Sequence, residues 1–242
     1  MPLKGVEITG LFDFWSSDSR LHTAWGFSAL VTLEDGNKLL FDTGSEGLKL
    51  VHNMDVLGYD IEDFQWIVLS HEHWDHIGGV EVLLNKGTRA EIFLPKVFSK
   101  STKSSFTRLG GTLRETQGPV EVASDVYTSG VMGDEIPEQS LVILTSKGAV
   151  LITGCAHPGI DRIVEEVSSR FGRILLVVGG FHLQGASAQR IGEIAKVFIR
   201  NKVGFVAPCH CSGEKAQTIF KEIYGENYIQ FAAGDRINTQ EL

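Results

Sequence analysis

The chain has 242 residues, of which 43% are hydrophobic and only 21% charged. That excludes a disordered chain and leaves enough apolar side chains for a substantial core. A net charge of −8 argues against nucleic acid as a partner, because such binders usually carry a basic domain or stripe.

Cys155, Cys209 and Cys211 are odd in number, and the last two stand one residue apart. A disulfide framework is therefore not expected, and a reducing cytoplasm is. The opening Met1-Pro2-Leu3-Lys4-Gly5 lacks the apolar core of a signal peptide. The longest apolar stretch, Ile174 to Val178, is far short of the ~20 residues that span a bilayer. No membrane association is expected.

In chain order, Val6 to Thr9 reads as a first strand. Phe27 to Leu33 and Lys38 to Phe41 read as a hairpin turned at Asp35-Gly36. Asp42-Thr43-Gly44 follows, then a helix from Glu46 to Leu57. Ile67 to Leu69 is a short buried strand, and Ile77 to Asn85 a helix ended by Gly87. Ile92 to Leu94 is a strand stopped by Pro95. Residues 99–118, rich in Ser, Thr, Gly and basic side chains, read as a lid, a long loop or a frayed helix.

The second half repeats the theme. Leu141 to Thr145 and Val150 to Thr153 form a hairpin around Lys147-Gly148, followed by a helix from Ile160 to Arg170 and a strand from Ile174 to Val178. A helix from Ala188 to Asn201, a strand from Val203 to Ala207, a helix from Glu214 to Tyr224 and a last strand from Tyr228 to Phe231 complete it. Two halves of this kind predict an α/β protein built as a four-layer αββα sandwich. No linker divides the chain, so residues 1–242 are expected to form one domain.

Six of the eight histidines gather near strand ends: His71, His73, His76, His157, His182 and His210. The densest run is His71-Glu72-His73-Trp74-Asp75-His76. It begins at the end of a buried strand, where extended backbone turns alternate side chains to one side. His71 and His73 can therefore face one metal, while Asp75 and His76, where the chain turns into a helix, can reach a second. Imidazole and carboxylate suit Zn²⁺ and similar ions, and two adjacent ions lower the pKa of water and offset charge on an electrophile. The bland alternative, a set of surface histidines in a polar loop, fits poorly with four potential ligands in six residues.

This run, His-x-His-x-Asp-His, resembles the signature of the metallo-β-lactamase superfamily, and the resemblance extends over essentially the whole chain. Gly154-Cys155-Ala156-His157-Pro158-Gly159, Gly179-Gly180-Phe181-His182-Leu183 and Pro208-Cys209-His210-Cys211 are similar to a smaller branch. Its members are metal-dependent hydrolases related to 7,8-dihydropterin-6-methyl-4-(ribofuranosyl)aminobenzene 5′-phosphate synthase. The resemblance implies His71 and His73 on a first metal, and Asp75, His76 and His210 on a second. The usual third histidine of the first site is missing, since no histidine lies between His76 and His157. His157 is the candidate to replace it. Cys155 occupies the slot of the aspartate that usually bridges the two metals; it either binds as thiolate or packs.

Asp42 matches a family aspartate that supports the metal loop, or it caps a helix. His182 follows two glycines, which let backbone approach a ligand closely. It is read as a general acid or an anion-binding group, against a structural histidine in a turn. Asp75 and His182 are the residues assigned to catalysis. Cys209 and Cys211 flank His210 and are expected to turn away from it and pack. Lys96, Lys100, Lys103 and Arg108 either bind a phosphate at the mouth of the site or lie in a solvated loop.

The expected function is metal-dependent hydrolysis of an ester or phosphoester-type small molecule, with a phosphorylated substrate among the candidates, on two zinc ions, with iron or manganese as alternatives. The alternative is transfer of a pterin group, as in the related synthase. A redox role ranks lower: flavin-linked di-iron relatives carry glutamate where His73 stands. A non-enzymatic binding module would normally have lost these ligands.

Overall fold

The computed structural model describes residues 2–242. The chain runs β1 (Glu7–Phe12), β2 (Ser28–Thr32), β3 (Lys38–Phe41), α1 (Gly47–Leu57) and β4 (Phe64–Val68). Next come α2 (Trp74–Ile77), α3 (Val80–Asn85), β5 (Glu91–Pro95), α4 (Lys100–Arg108), β6 (Thr112–Thr116), β7 (Glu121–Ala123) and β8 (Val126–Thr128). Then follow β9 (Leu141–Thr145), β10 (Gly148–Thr153), α5 (Ile160–Phe171), β11 (Ile174–Gly180) and α6 (Ala188–Arg200). The last elements are β12 (Phe205–Cys209), α7 (Glu214–Tyr224) and β13 (Arg236–Asn238).

The strands form two mixed sheets, β13-β1-β2-β3-β4-β5-β6 and β12-β11-β10-β9-β8-β7. Strand residues alternate between two faces, and the core divides accordingly. Ala29, Val31, Leu39 and Phe41 point inward and meet Ile143, Val150, Ile152 and Val178 of the other sheet. Leu30, Leu40, Ile67 and Ile92 point outward against Leu50, Met54, Val80, Leu83 and Phe106 of α1, α3 and α4. Val142, Leu151, Val177 and Val206 pack outward on Ile163, Val164, Ile191, Phe198 and Phe220 of α5, α6 and α7. This is the αββα sandwich that the order of elements predicts. Among the described residues, no helix is long and apolar enough to cross a membrane.

Several boundaries differ from the reading of the sequence. The helix expected from Ile77 to Asn85 is two helices, because the Gly78-Gly79 step lies against the loop after β3. A Cβ at Gly78 would sit 2.2 Å from the Ser45 carbonyl, and one at Gly79 2.4 Å from that of Thr43. Residues 99–118 hold a regular helix, capped by Ser99 accepting from the Thr102 amide, and then a strand. The hairpin of β7 and β8 is too short to leave a periodic signal. The strand expected at Tyr228 to Phe231 is absent: Tyr228 makes only a bridge to Val206, and Phe231 leaves to enter the inter-sheet core. The terminal strand is instead Arg236–Asn238, antiparallel to β1.

Strands β3, β4 and β5 run parallel, as do β10, β11 and β12. The loops leaving β3, β4, β10, β11 and β12 carry the clustered polar side chains described below. Carboxyl ends of parallel strands are where open α/β sheets place ligands.

Candidate metal centre

The segment after β4 supplies Ser70, His71 and His73 before the chain turns into α2, which carries Asp75 and His76. His157 follows β10, and His210 follows β12. Potential ligand atoms of His71, His73 and His157 lie within 4.8 Å of one another, as do those of Asp75, His76, Cys155 and His210. His71 joins the two groups, its ring centroid 4.5 Å from that of His73, 4.3 Å from His76 and 4.6 Å from His157. All seven residues read as metal ligands in the sequence thus meet in one place.

The hydrogen bonds around these rings point them inward. His76 Nδ1 donates to Asp42 Oδ2 at 2.7 Å. Asp42 also accepts from the Ser70 amide and hydroxyl, both at 2.7 Å. With its own proton committed to Asp42, Ser70 Oγ accepts from His71 Nδ1 at 2.9 Å. This pattern puts a ring proton on Nδ1 of both histidines, so that the neutral ring turns the lone pair of Nε2 to the centre. His71 Nε2 is buried and has no hydrogen-bond partner. Asp42 is not a helix cap: α1 is preceded by Glu46.

Glu138 performs the same task on the other side. Its buried carboxylate accepts from the amides of Cys155 (2.9 Å), Ala156 (2.9 Å) and His157 (3.0 Å), and from His157 Nδ1 at 2.9 Å. Burial works against this charge, but the neighbouring His71 and His157 and the amide bonds outweigh it and hold the carboxyl well below its usual range. His157 is thus more than a turn histidine fixed by its backbone. Its ring is oriented by a carboxylate, leaving Nε2 toward His71 and His73. Sequence reasoning missed Glu138, which sits in an ordinary polar loop with no motif around it.

In the second group, Cys155 Sγ lies 3.2 Å from His76 Nε2 and 3.4 Å from His210 Nε2. Asp75 Oδ2 lies 3.7 Å from His76 Nε2 and 3.5 Å from His210 Nε2. His210 has a left-handed backbone (φ 47°), as do Asp42 (φ 54°), Ala156 (φ 63°) and His182 (φ 51°). Non-glycine residues in this region each store on the order of 1–3 kcal/mol of strain, and such strain gathers at functional sites. Burial keeps His71 neutral, the form that binds metal. His76 behaves otherwise: burial opposes its charge, but Asp42 outweighs it and raises the pKa to about 9.

Cys211 corrects the expectation that it turns away. β12 ends at Cys209, and residues 210–212 form a tight 3₁₀ turn, so strand alternation no longer applies. Its sulfur comes within 4.8 Å of Cys155 and of a ring nitrogen of His182. Burial raises the Cys211 thiol, but the adjacent Cys155 and His182 outweigh it and bring it to about 6. Cys209 does pack, in the inter-sheet core. His182 is exposed on the opening, its ring 4.5 Å from that of His157. His22 and His52 stack on each other at 4.0 Å, outside both groups.

Part of the basic segment is engaged within the chain. The Glu72 carboxylate takes the start of α4 by accepting from the Ser99 amide (2.6 Å) and the Thr102 hydroxyl (2.5 Å), and Lys103 pairs with Glu115 at 3.1 Å.

Comparison with known proteins agrees with this architecture. Residues 26–92 match the family model of the Metallo-beta-lactamase superfamily. The chain is 26% identical to the 7,8-dihydropterin-6-methyl-4-(beta-D-ribofuranosyl)-aminobenzene-5′-phosphate synthase of Methanocaldococcus jannaschii, with 92% of each chain covered. It is 29% identical to Tm1679, a metal-dependent hydrolase of the beta-lactamase superfamily. The two structures superpose with a TM-score of 0.81 over 96% of this chain and 98% of the other. Human tRNase Z, short form, is 14% identical with a TM-score of 0.64 over 96% of this chain and 98% of its own, a likeness of fold alone.

Proposed function

The chain belongs to the metallo-beta-lactamase superfamily, and from that premise we propose that it is a hydrolase acting on an ester or phosphoester of a small molecule at a two-metal centre. The observation that carries this is the inward aim of the histidine rings. His71 Nε2 is buried without a partner, while Asp42, Ser70 and Glu138 hold the far nitrogens of His76, His71 and His157. A carboxylate or hydroxyl behind each imidazole is how metal-binding histidines are oriented.

His71, His73 and His157 would hold one ion; Asp75, His76, Cys155 and His210 would hold the other. The mixed nitrogen, oxygen and sulfur donors suit zinc, with iron or manganese as alternatives. Ions held there would lower the pKa of water and offset charge on the electrophile. His182, exposed beside His157, donates a proton to the departing oxygen. Cys211 beside it raises its pKa above the ordinary histidine range, which keeps that proton available. Asp75, buried between His76 and His210, fixes the second ion relative to the reacting bond.

The test is His73→Ala. Metal content and turnover of a panel of esters and phosphoesters should both fall; full activity with unchanged metal sinks the proposal. A second reading, transfer of a dihydropterin group to an aminobenzene acceptor, is favoured by the similarity to the Methanocaldococcus jannaschii synthase over 92% of both chains. In that case an amine or ring carbon would take the place of water, and a diphosphate would be the leaving group at the same ligand set. Failure of the purified, metal-loaded protein to consume a hydroxymethyl-dihydropterin diphosphate with such an acceptor rules it out.

A further inference from the structure

Strands β10, β11 and β12 lie side by side and run parallel, so their carboxyl ends open at one edge of the sheet. Each is followed, two residues past its end, by a side chain able to bind metal: Cys155 after Thr153, His182 after Gly180 and Cys211 after Cys209. The two sulfurs and a ring nitrogen of His182 lie within 4.8 Å of one another. Cys155 also belongs to the group with Asp75, His76 and His210. Cys211 and His182 belong to neither of the two groups assigned above.

The three loops are locked together at this point. The Gly180 amide donates to the Gly154 carbonyl at 3.1 Å, and the Gln184 amide to the Cys211 carbonyl at 3.2 Å. The Phe181 amide donates to the Ser212 hydroxyl oxygen at 3.0 Å, and the buried Asp13 carboxylate accepts from the His210 amide at 3.2 Å. Gly180 makes room for the sulfur: a Cβ there would lie 2.7 Å from Cys211 Sγ and 3.2 Å from the Cys155 Cα. Cys211 Sγ donates to the Cys155 carbonyl at 3.5 Å, which holds it beside that residue. Among the described residues, Cys209 packs in the inter-sheet core, whereas Cys155 and Cys211 join none of the apolar clusters.

The donor set has its own chemistry. Two thiolates and a neutral imidazole balance the charge of a divalent ion. Sulfur and imidazole donors suit zinc, and the lack of an oxygen donor among the three disfavours calcium, magnesium and manganese. Three protein ligands with a fourth position left open are a frequent zinc arrangement. His182 is exposed while both sulfurs are buried, so an ion would enter past the imidazole and keep its remaining position toward solvent. The two groups assigned above are rich in imidazole; this one is rich in sulfur.

We propose that Cys155, His182 and Cys211 form a further zinc site, beside the two-metal centre and sharing Cys155 with it, that fills when zinc is in excess. Four donors surround the inner position that Cys155 serves and three the outer one, so the outer ion is the last to bind. Zinc takes the neutral imidazole, so an ion there deprives His182 of the proton it would give the leaving group, and excess zinc slows turnover. That consequence rests on the hydrolase reading above, whereas the count of ions does not.

The protein, kept reduced with a phosphine, is dialysed against rising zinc, and the ions per chain are counted by mass spectrometry. Where Cys211→Ser and His182→Gln have saturated, the parent should hold about one ion more, the ion that needs all three donors. In each variant that ion should bind more than about tenfold more weakly, since losing even a supporting partner costs a metal site that much. The second variant covers a poorly folded first. Equal counts in the parent and both variants overturn the proposal, and any extra ion then belongs elsewhere, the stacked His22 and His52 being the next place to look. A parent that holds the extra ion but hydrolyses no ester or phosphoester overturns only the hydrolase reading. A parent that hydrolyses them yet holds no more zinc than the variants overturns only the further site.

Discussion

Asp42 and His76 meet at 2.7 Å, carboxylate Oδ2 to ring Nδ1, with both side chains fully buried. Asp42 therefore acts on the centre through another residue. It fixes the tautomer and direction of His76, and through Ser70 it does the same for His71.

Asp42→Ala is expected to lower metal affinity about 10–100-fold, the usual effect of removing a carboxylate behind a metal-binding histidine. Competition with a chromogenic chelator measures it. Affinity equal to that of the parent would mean His76 is held by packing alone.

Glu138 gives a companion prediction. Four donors converge on its carboxylate. Glu138→Gln keeps the shape but turns an amide NH₂ toward at least one of those N–H groups. A buried donor left unsatisfied costs about 1–3 kcal/mol, so the midpoint of chemical denaturation should fall. Metal affinity should fall with it, since His157 loses its orienting partner. A stable variant with weakened metal binding would place the whole effect on the ring; unchanged values for both would refute the assignment.

The sequence made one half of this arrangement plain and concealed the other. His71, His73, Asp75 and His76 stand within one short run at the end of a buried strand, so local geometry suffices to bring them together. The supports come from elsewhere: Asp42, from the end of β3, was marked by the family resemblance alone, while Glu138, from the loop before β9, and Asp13, from the end of β1, were marked by nothing. Nothing in the residues around Glu138 marks it, because its role arises only when the loop before β9 meets the loop after the neighbouring strand β10, which supplies all four donors. Cys211 was misplaced for a related reason. Alternation holds in a strand, and His210 with its positive φ ends the strand one residue too early for the rule to apply. The element order carried the four layers, while short strands such as β7, β8 and β13 depend on pairing partners far away in sequence.

The Asp42–His76 pair also sets a dependence on pH. In protein stripped of metal, burial opposes charge on His76, yet Asp42 raises its pKa to about 9, above the value of about 6.5 for an unfolded chain. The folded state thus holds this proton more tightly. Its contribution to stability is complete below pH about 6.5 and is lost as pH rises through about 9. Thermal unfolding of the chelated protein should show a falling midpoint across that window, and His76→Gln should flatten the fall. Metal binding needs the neutral ring and releases the proton, so affinity should climb with pH over the same window. Stability rising over that range would contradict the pairing.

Cys155 offers the most discriminating prediction about the centre itself. Its sulfur lies 3.2 Å from His76 Nε2 and 3.4 Å from His210 Nε2. A hydrophobic packing role would leave no reason for two imidazole nitrogens to converge on it. If it binds metal, Cys155→Ser should reduce zinc from about two equivalents per chain to about one, because thiolate is a far better zinc ligand than a hydroxyl. Cobalt-loaded parent should show thiolate-to-metal absorption in the near ultraviolet, and Cys155→Ser should lose it. Cys155→Asp should recover the metal without the absorption, since a carboxylate can occupy the same position. Persistence of the absorption in Cys155→Ser would transfer the ligand role to Cys211, the other buried sulfur within reach of the cluster. Full zinc content with no thiolate absorption in any form would leave the second ion to Asp75, His76 and His210 alone, with Cys155 only packing between them.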